Sequence, residues 1–301
     1  MPVIEVENLH KRYRDTVAVD GVSFTVEAGE IFGILGPNGA GKTTTVECVT
    51  GLRKADRGRI AVLGLDPQRH RGKLRRRVGV QLQESQLPEK LTVREALALY
   101  ASFYERPADR RHLAADLGLA DRLETRYAKL SGGQKQRLSI ALALIGNPDV
   151  AVLDELTTGL DPQARRDTWQ LIDDIRGRGV TVVLVTHFME EAERLCDRLA
   201  VIDRGRIVAC DTPAGLVARV STEQRIRFRP SAPLPERLLA DLPEVTGVGL
   251  RGDQVVVTGT GNVLHAVTSV LARHQIIAAD LRVEQASLDD AFLALTRGDH
   301  A

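Results

Sequence analysis

Residues Gly36–Thr43 read G-P-N-G-A-G-K-T, which fits the spacing G-x-x-x-x-G-K-[ST]. The run before them, IFGIL (Ile31–Leu35), is short and apolar, and a helical stretch follows Gly41. A chain that passes from a buried strand through such a loop into a helix has few folds open to it. It is an α/β protein built on a largely parallel sheet. Gly36, Gly39 and Gly41 leave backbone N–H groups free to surround an anion, and the helix behind them adds the positive end of its dipole. Pro37, Asn38, Ala40 and Thr44 complete the phosphate-binding stretch. Lys42 is expected to reach the β- and γ-phosphates of a nucleotide, and the Thr43 hydroxyl to ligate Mg²⁺.

Two later apolar runs, DVAVLDE (Asp149–Glu155) and VTVVLVTH (Val180–His187), end in polar residues, with a helical pattern, QARRDTWQLIDDIRGRG, between them. That is β-α-β order, with polar groups at the strand ends where α/β proteins place ligands. On a straight strand Asp154 and Glu155 point to opposite faces. The expected division gives Asp154 to the water shell of the metal and Glu155 to an attacking water as general base. Ahead of the phosphate loop, Pro2–Val26 reads as an antiparallel β region. From about Glu84 to Asn147 the pattern is helical, opened by Thr92 and Glu95 in capping-box spacing. Beyond Val220 the order becomes strand, helix, two strands, helix, strand, that of a small ferredoxin-like α+β domain. The expected division is therefore 1–220 and 221–301.

A second glycine-rich helix start, LSGGQKQR (Leu130–Arg137), precedes the helical run RLSIALALIG. The order GPNGAGKTT, LSGGQ, VLDE, TTGLDP, VTH closely resembles the nucleotide-binding subunit of ATP-binding cassette (ABC) transporters, over about the first 215 residues. The resemblance implies a P-loop NTPase cassette: a mixed sheet with an antiparallel β subdomain and a helical insertion, hydrolysing ATP with Mg²⁺. It further implies a homodimer, two cassettes head to tail around two ATP. There Ser131, Gly132, Gly133 and Gln134 of each chain face the γ-phosphate at the other's phosphate loop, and Ser131, Gly133 and the helix dipole suit an anion. Position by position, Tyr13 is expected to stack on adenine, and Gln83 to lie near Mg²⁺ and the γ-phosphate, with Gln81 a competitor for that place. Asp161 belongs to the loop crossing the interface, and His187 holds the γ-phosphate and positions the water. One departure is Leu156, where the family has proline after the catalytic glutamate; it is expected to loosen the backbone between Glu155 and Asp161.

The net charge of +1 gives no field that would draw nucleic acid. The dense basic cluster Arg69–Arg77 lacks interleaved aromatics and reads as a solvated helix face. Cys48, Cys196 and Cys210 have no metal-ligand spacing and read as reduced core thiols. No apolar run approaches the roughly 18 to 20 residues that span a bilayer, and charges stand where a signal peptide needs apolar residues. The chain is expected in the cytoplasm, peripheral on the inner face of the membrane through a separate multi-span permease. The ending SLDDAFLALTRG (Ser287–Gly298) resembles that of ATPases driving daunorubicin-type drug and polysaccharide exporters, which implies export of a drug or another hydrophobic or glycan substrate. The alternative, a soluble ABC-superfamily ATPase acting on ribosomes or nucleic acid, usually carries tandem cassettes or a DNA-binding insertion. After Thr222 no chemistry is expected, although Leu288, Phe292 and Leu295 share one helical face suited to docking a partner.

Overall fold

In the computed structural model, which describes residues 2–82, 87–220 and 223–297, the chain opens on two long strands, β1 (Pro2–Tyr13) and β2 (Thr16–Glu27). Burial alternates along β2, as it does in a sheet with one face on the core. The strands that follow are β3 (Ile31–Leu35), β4 (Arg57–Val62), β5 (Val78–Gln81), β6 (Val150–Asp154), β7 (Thr181–Thr186), β8 (Arg198–Asp203) and β9 (Arg206–Asp211). Every residue of β3, β6 and β7 is buried, which explains why their sequences are unbroken apolar runs rather than alternating ones.

Two sheets result. An antiparallel sheet has the order β2-β1-β4, and a six-stranded sheet the order β5-β6-β7-β3-β8-β9, parallel except for β9. Ile4, Val22 and Val26 of the first share one core with Phe32, Ile34, Val152 and Val185 of the second, joined by Val46 and Val49 of the helix Lys42–Val49. Between β5 and β6 the chain detours through the helices Val93–Ala101, Arg110–Asp116 and Gly132–Leu144, the expected helical insertion. In the basic cluster only Arg71–Leu74 is helical; Leu74 is buried and the arginines around it are exposed. Among the described residues no helix is long and apolar enough to cross a membrane.

The chain divides into two compact units, Met1–Pro213 and Ala214–Ala301. Almost all of the helix Pro213–Val220, assigned to the first domain by its sequence, thus clusters with the second. The second unit continues with β10 (Gln224–Pro230), β11 (Val245–Arg251), β12 (Gln254–Gly259) and β13 (Ala278–Gln285), all antiparallel in the order β11-β12-β10-β13. Ile226, Phe228, Val255 and Val257 from one face meet Val263, Val267 and Leu271 of the helix Val263–Arg273, a ferredoxin-like core. Along the helix Leu288–Arg297, Leu288 and Ala291 are buried, Phe292 and Leu295 half-buried, and Leu293 and Ala294 exposed.

The helix Val93–Ala101 starts on the expected capping box. Glu95 N–H donates to Thr92 Oγ1 (3.2 Å), and Thr92 N–H donates to the Glu95 carboxylate (2.8 Å). Thr92→Ala should lower unfolding stability by about 1 kcal/mol, while Thr92→Ser, which keeps the acceptor, should leave it unchanged. Urea melts of the three proteins measure this.

Candidate active site

The carboxyl ends of β5, β6, β7 and β3 lie side by side at one edge of the parallel sheet, and the chemistry gathers there. Asn38, Gly39, Gly41, Lys42, Thr43, Thr44, Glu155 and Ala18 line a cleft of about 380 Å³. Gly41 opens the helix at φ 100°, and a Cβ there would strike the Ala18 carbonyl; one at Gly36 would strike that of Ile202. Both positions therefore demand glycine, which keeps the loop backbone bare toward the cleft. Lys42 is almost fully buried, and its Nζ donates to the carbonyls of Gly36 (2.8 Å) and Pro37 (3.0 Å). A cavity of about 470 Å³ lies instead near the amino ends of β6 and β7, among Pro148, Ile175 and Val180, remote from these groups.

Asp154 and Glu155 do not diverge as a straight strand would place them. β6 stops at Asp154, and Glu155 adopts a left-handed backbone (φ 49°) with its N–H donated to the Val185 carbonyl (2.9 Å). Its carboxylate lines the cleft and also stands 3.2 Å from His187 Nδ1. Such a conformation is strained for glutamate, and it lies between the paired end of β6 and the fully buried Leu156. Leu156 is fully buried, as is Thr157, so packing anchors a segment that the missing proline was expected to loosen.

The signature is placed differently. Ser131 caps the helix Gly132–Leu144 in a second capping box: Gln134 N–H donates to Ser131 Oγ (3.3 Å) and Ser131 N–H to Gln134 Oε1 (3.0 Å). None of Ser131–Gln134 lines the cleft. A Cβ at Gly132 would meet Leu160, and one at Gly133 would meet Ala164, so the signature abuts the segment containing Asp161. Asp161 is exposed and caps the helix Pro162–Gly177 through Gln163 N–H (3.0 Å) and Ala164 N–H (2.9 Å). Tyr13 ends β1 with its ring partly exposed and Arg53 5.1 Å from its centroid. Gln83 lies outside the described residues. Its competitor Gln81 is buried; its Oε1 accepts the N–H of Asp154 (3.2 Å) and its Nε2 donates to the Leu82 carbonyl (2.9 Å).

Comparison with known proteins identifies the family. Residues 19–158 match the family model described as ABC transporter. A Nod factor export ATP-binding protein I from Burkholderia lata is 46% identical over 224 residues, covering 72% of this chain and 74% of that one. A daunorubicin resistance ATP-binding protein from Streptomyces coeruleorubidus is 37% identical over 305 residues, covering 98% and 96%. The chain belongs to the ABC transporter family. It is an ATPase, and the cassette fold expected from its motifs is the one it has. Among solved structures, a dimeric ATP-binding cassette in a post-hydrolysis state with ADP and Pi superposes with a TM-score of 0.62 at 26% identity, covering 69% of this chain and 98% of that one.

In this ABC ATPase Asp154 is a buried carboxylate next to Glu155. It is 1% exposed, and although the Thr43 hydroxyl approaches it, neither carboxylate oxygen completes a hydrogen bond of good geometry among the described residues. Burial, then the charge of Glu155, pushes its pKa up to about 6 against the pull of Lys42. Burial likewise pushes the Lys42 pKa down, opposed by Glu155 and Asp154. An orphaned buried carboxylate beside a hydroxyl is a donor set suited to a hard divalent cation with oxygen ligands. Sequence reasoning missed Ala18, which lines the cleft, Phe188, which packs on His187, and Arg165, which stands over the Phe188 ring, because no motif marks such contacts.

The raised pKa fixes a sign. An Asp whose folded pKa exceeds its unfolded value weakens the fold once pH rises through the folded pKa, and contributes no penalty below the unfolded one. Asp154→Asn should therefore raise the melting temperature of the nucleotide-free protein at pH 8. The gain should shrink as pH falls through about 6 and vanish near pH 4. Calorimetry across that range measures it, with loss of ATP turnover in the same variant.

Proposed function

We propose that this ATPase is the motor subunit of an exporter. Two copies pair head to tail around two ATP, at the cytoplasmic face of the membrane, and drive a separate multi-span permease. One observation carries the reading: a site otherwise gathered at one sheet edge lacks the signature, which sits apart with the Asp161 segment. A second chain can supply it. The dimeric cassette bound to ADP and Pi supports the pairing, and the export and resistance proteins named above support the direction of transport. Their names also favour a drug or another hydrophobic or glycan substrate.

The residues divide the hydrolysis among them. Backbone N–H groups of Gly36–Thr43 and the dipole of the helix Lys42–Val49 hold the phosphate chain, and the Lys42 ammonium moves from the loop carbonyls to the β- and γ-oxygens. Tyr13 stacks on the adenine. Asp154 and Thr43 would hold Mg²⁺, which supplies charge stabilisation to the transferring phosphoryl group, with Gln83 on the same side. A water oxygen bonds to the γ-phosphorus as the bond to ADP breaks, and Glu155 accepts the water's proton. His187 steadies the γ-phosphate beside it. Ser131, Gly132, Gly133 and Gln134 of the second chain close the site, with Asp161 at the boundary between the chains.

Glu155→Gln should keep ATP binding and lose turnover by about 10²- to 10⁴-fold, since the amide cannot take the proton. Ser131→Arg and Lys42→Ala should each be inactive alone. Mixed, they should regain hydrolysis, because a mixed dimer holds one intact loop facing one intact signature. Phosphate release from the mixture decides between shared and self-contained sites. No recovery from chains shown to dimerise would exclude sharing.

A further inference from the structure

Phe188 follows the histidine and takes no part in the hydrolysis above, yet its ring touches two charged or polar neighbours. Its centroid lies 4.1 Å from that of His187, with the rings tilted by 39°. The Arg165 guanidinium stands 4.8 Å over the same Phe188 ring. We propose that Phe188 and Arg165 are positioning residues that fix the orientation of the His187 ring for hydrolysis.

Among the described residues His187 has one polar tether, Nδ1 to Glu155 Oε1 at 3.2 Å. A single hydrogen bond leaves an imidazole free to swing about its outer torsion, which is broad and nearly two-fold. An aromatic ring packed at 4.1 Å removes that freedom. Phe188 is itself held, its N–H donated to Thr186 Oγ1 (3.0 Å) at the end of β7. Arg165 sits in the first turn of the helix capped by Asp161, its N–H donated to the Asp161 carbonyl (3.0 Å). Among the described residues Arg165 Nε is buried without an acceptor, and the Glu190 carboxylate is no nearer than 3.9 Å. A partly desolvated guanidinium in that setting gains from the face of an aromatic ring. Glu191, fully buried, also faces Arg165 and accepts the Trp169 indole N–H (3.1 Å), locking the helices Pro162–Gly177 and Met189–Leu195 together beneath the ring.

The inference rests on His187 acting in hydrolysis, and the test separates the two. With steady-state ATPase assays, His187→Ala must lower turnover; no drop would overturn the role of His187 and this inference with it. Phe188→Leu should lower kcat about tenfold, with binding of a non-hydrolysable ATP analogue unchanged. Phe188→Tyr, which keeps the ring, should restore the parent rate. In the His187→Ala background Phe188→Leu should cost nothing further, the mark of two residues acting as one. An equal loss in both backgrounds, or equal losses for Leu and Tyr, would overturn the positioning role alone. If Phe188→Leu lowers the melting temperature, Arg165→Met carries the same cycle, with a smaller kcat loss that again vanishes without His187.

Discussion

The nucleotide cleft is organised around a carboxylate that has lost its water. Asp154 ends a strand buried along its whole length, and its pKa rises because the surrounding hydrocarbon resists its charge. The nearest compensation is the charge on Lys42, which the same burial weakens, and the two groups thus depend on one another. Gln81 pins the backbone of Asp154 from β5, and the Asp154–Val185 register pins it from β7. With the strand fixed on both sides, the next N–H continues the ladder to the Val185 carbonyl, and the chain turns left-handed at Glu155 immediately after it. That turn delivers Glu155 to His187. A destabilised acid thus ends the buried parallel pairing, and a strained one stands at the point where the chain leaves it.

Local sequence carried much of this. The phosphate loop, the capping boxes and the apolar strands are short-range patterns, and each specifies its own geometry within a few residues of chain. The alternating strands of the second unit were equally readable, and its topology followed from the order of elements. Glu155 was not, because alternation along a strand says nothing about where the strand stops, and β6 stops at Asp154. Gln81 and Gln83 share a pattern, and only the contact from Gln81 to the Asp154 N–H distinguishes what the first of them does. The face of Leu288, Phe292 and Leu295 was visible as a helical stripe, but periodicity cannot tell a stripe that docks a partner from one the chain itself covers.

Leu156 shows how one departure from a family pattern is absorbed. Proline would constrain the backbone after Glu155 through its ring; leucine constrains it through burial, with its side chain wholly inside. The two devices respond differently to their surroundings, since a ring acts in any environment and a packed side chain acts only while the core around it is intact. The geometry of Glu155 is thereby tied more closely to the packing beneath the Glu155–Asp161 segment, where Thr157 and Glu191 are also fully buried.

The signature segment makes the complementary case. A glycine pair opens a helix poorly by propensity, so the start must be specified by its cap, and Ser131 and Gln134 supply it reciprocally. Gln134 is thus engaged within its own chain before any nucleotide arrives. The cap satisfies the N–H of Gln134 and leaves the first N–H groups of the helix, those of Gly132 and Gly133, among the donors that every helix start presents outward. A Cβ at either position would meet Leu160 or Ala164 only at ordinary contact distance, so packing within the chain does not itself demand glycine there. The helix start is specified by its reciprocal cap instead, and the two glycines leave it without side chains.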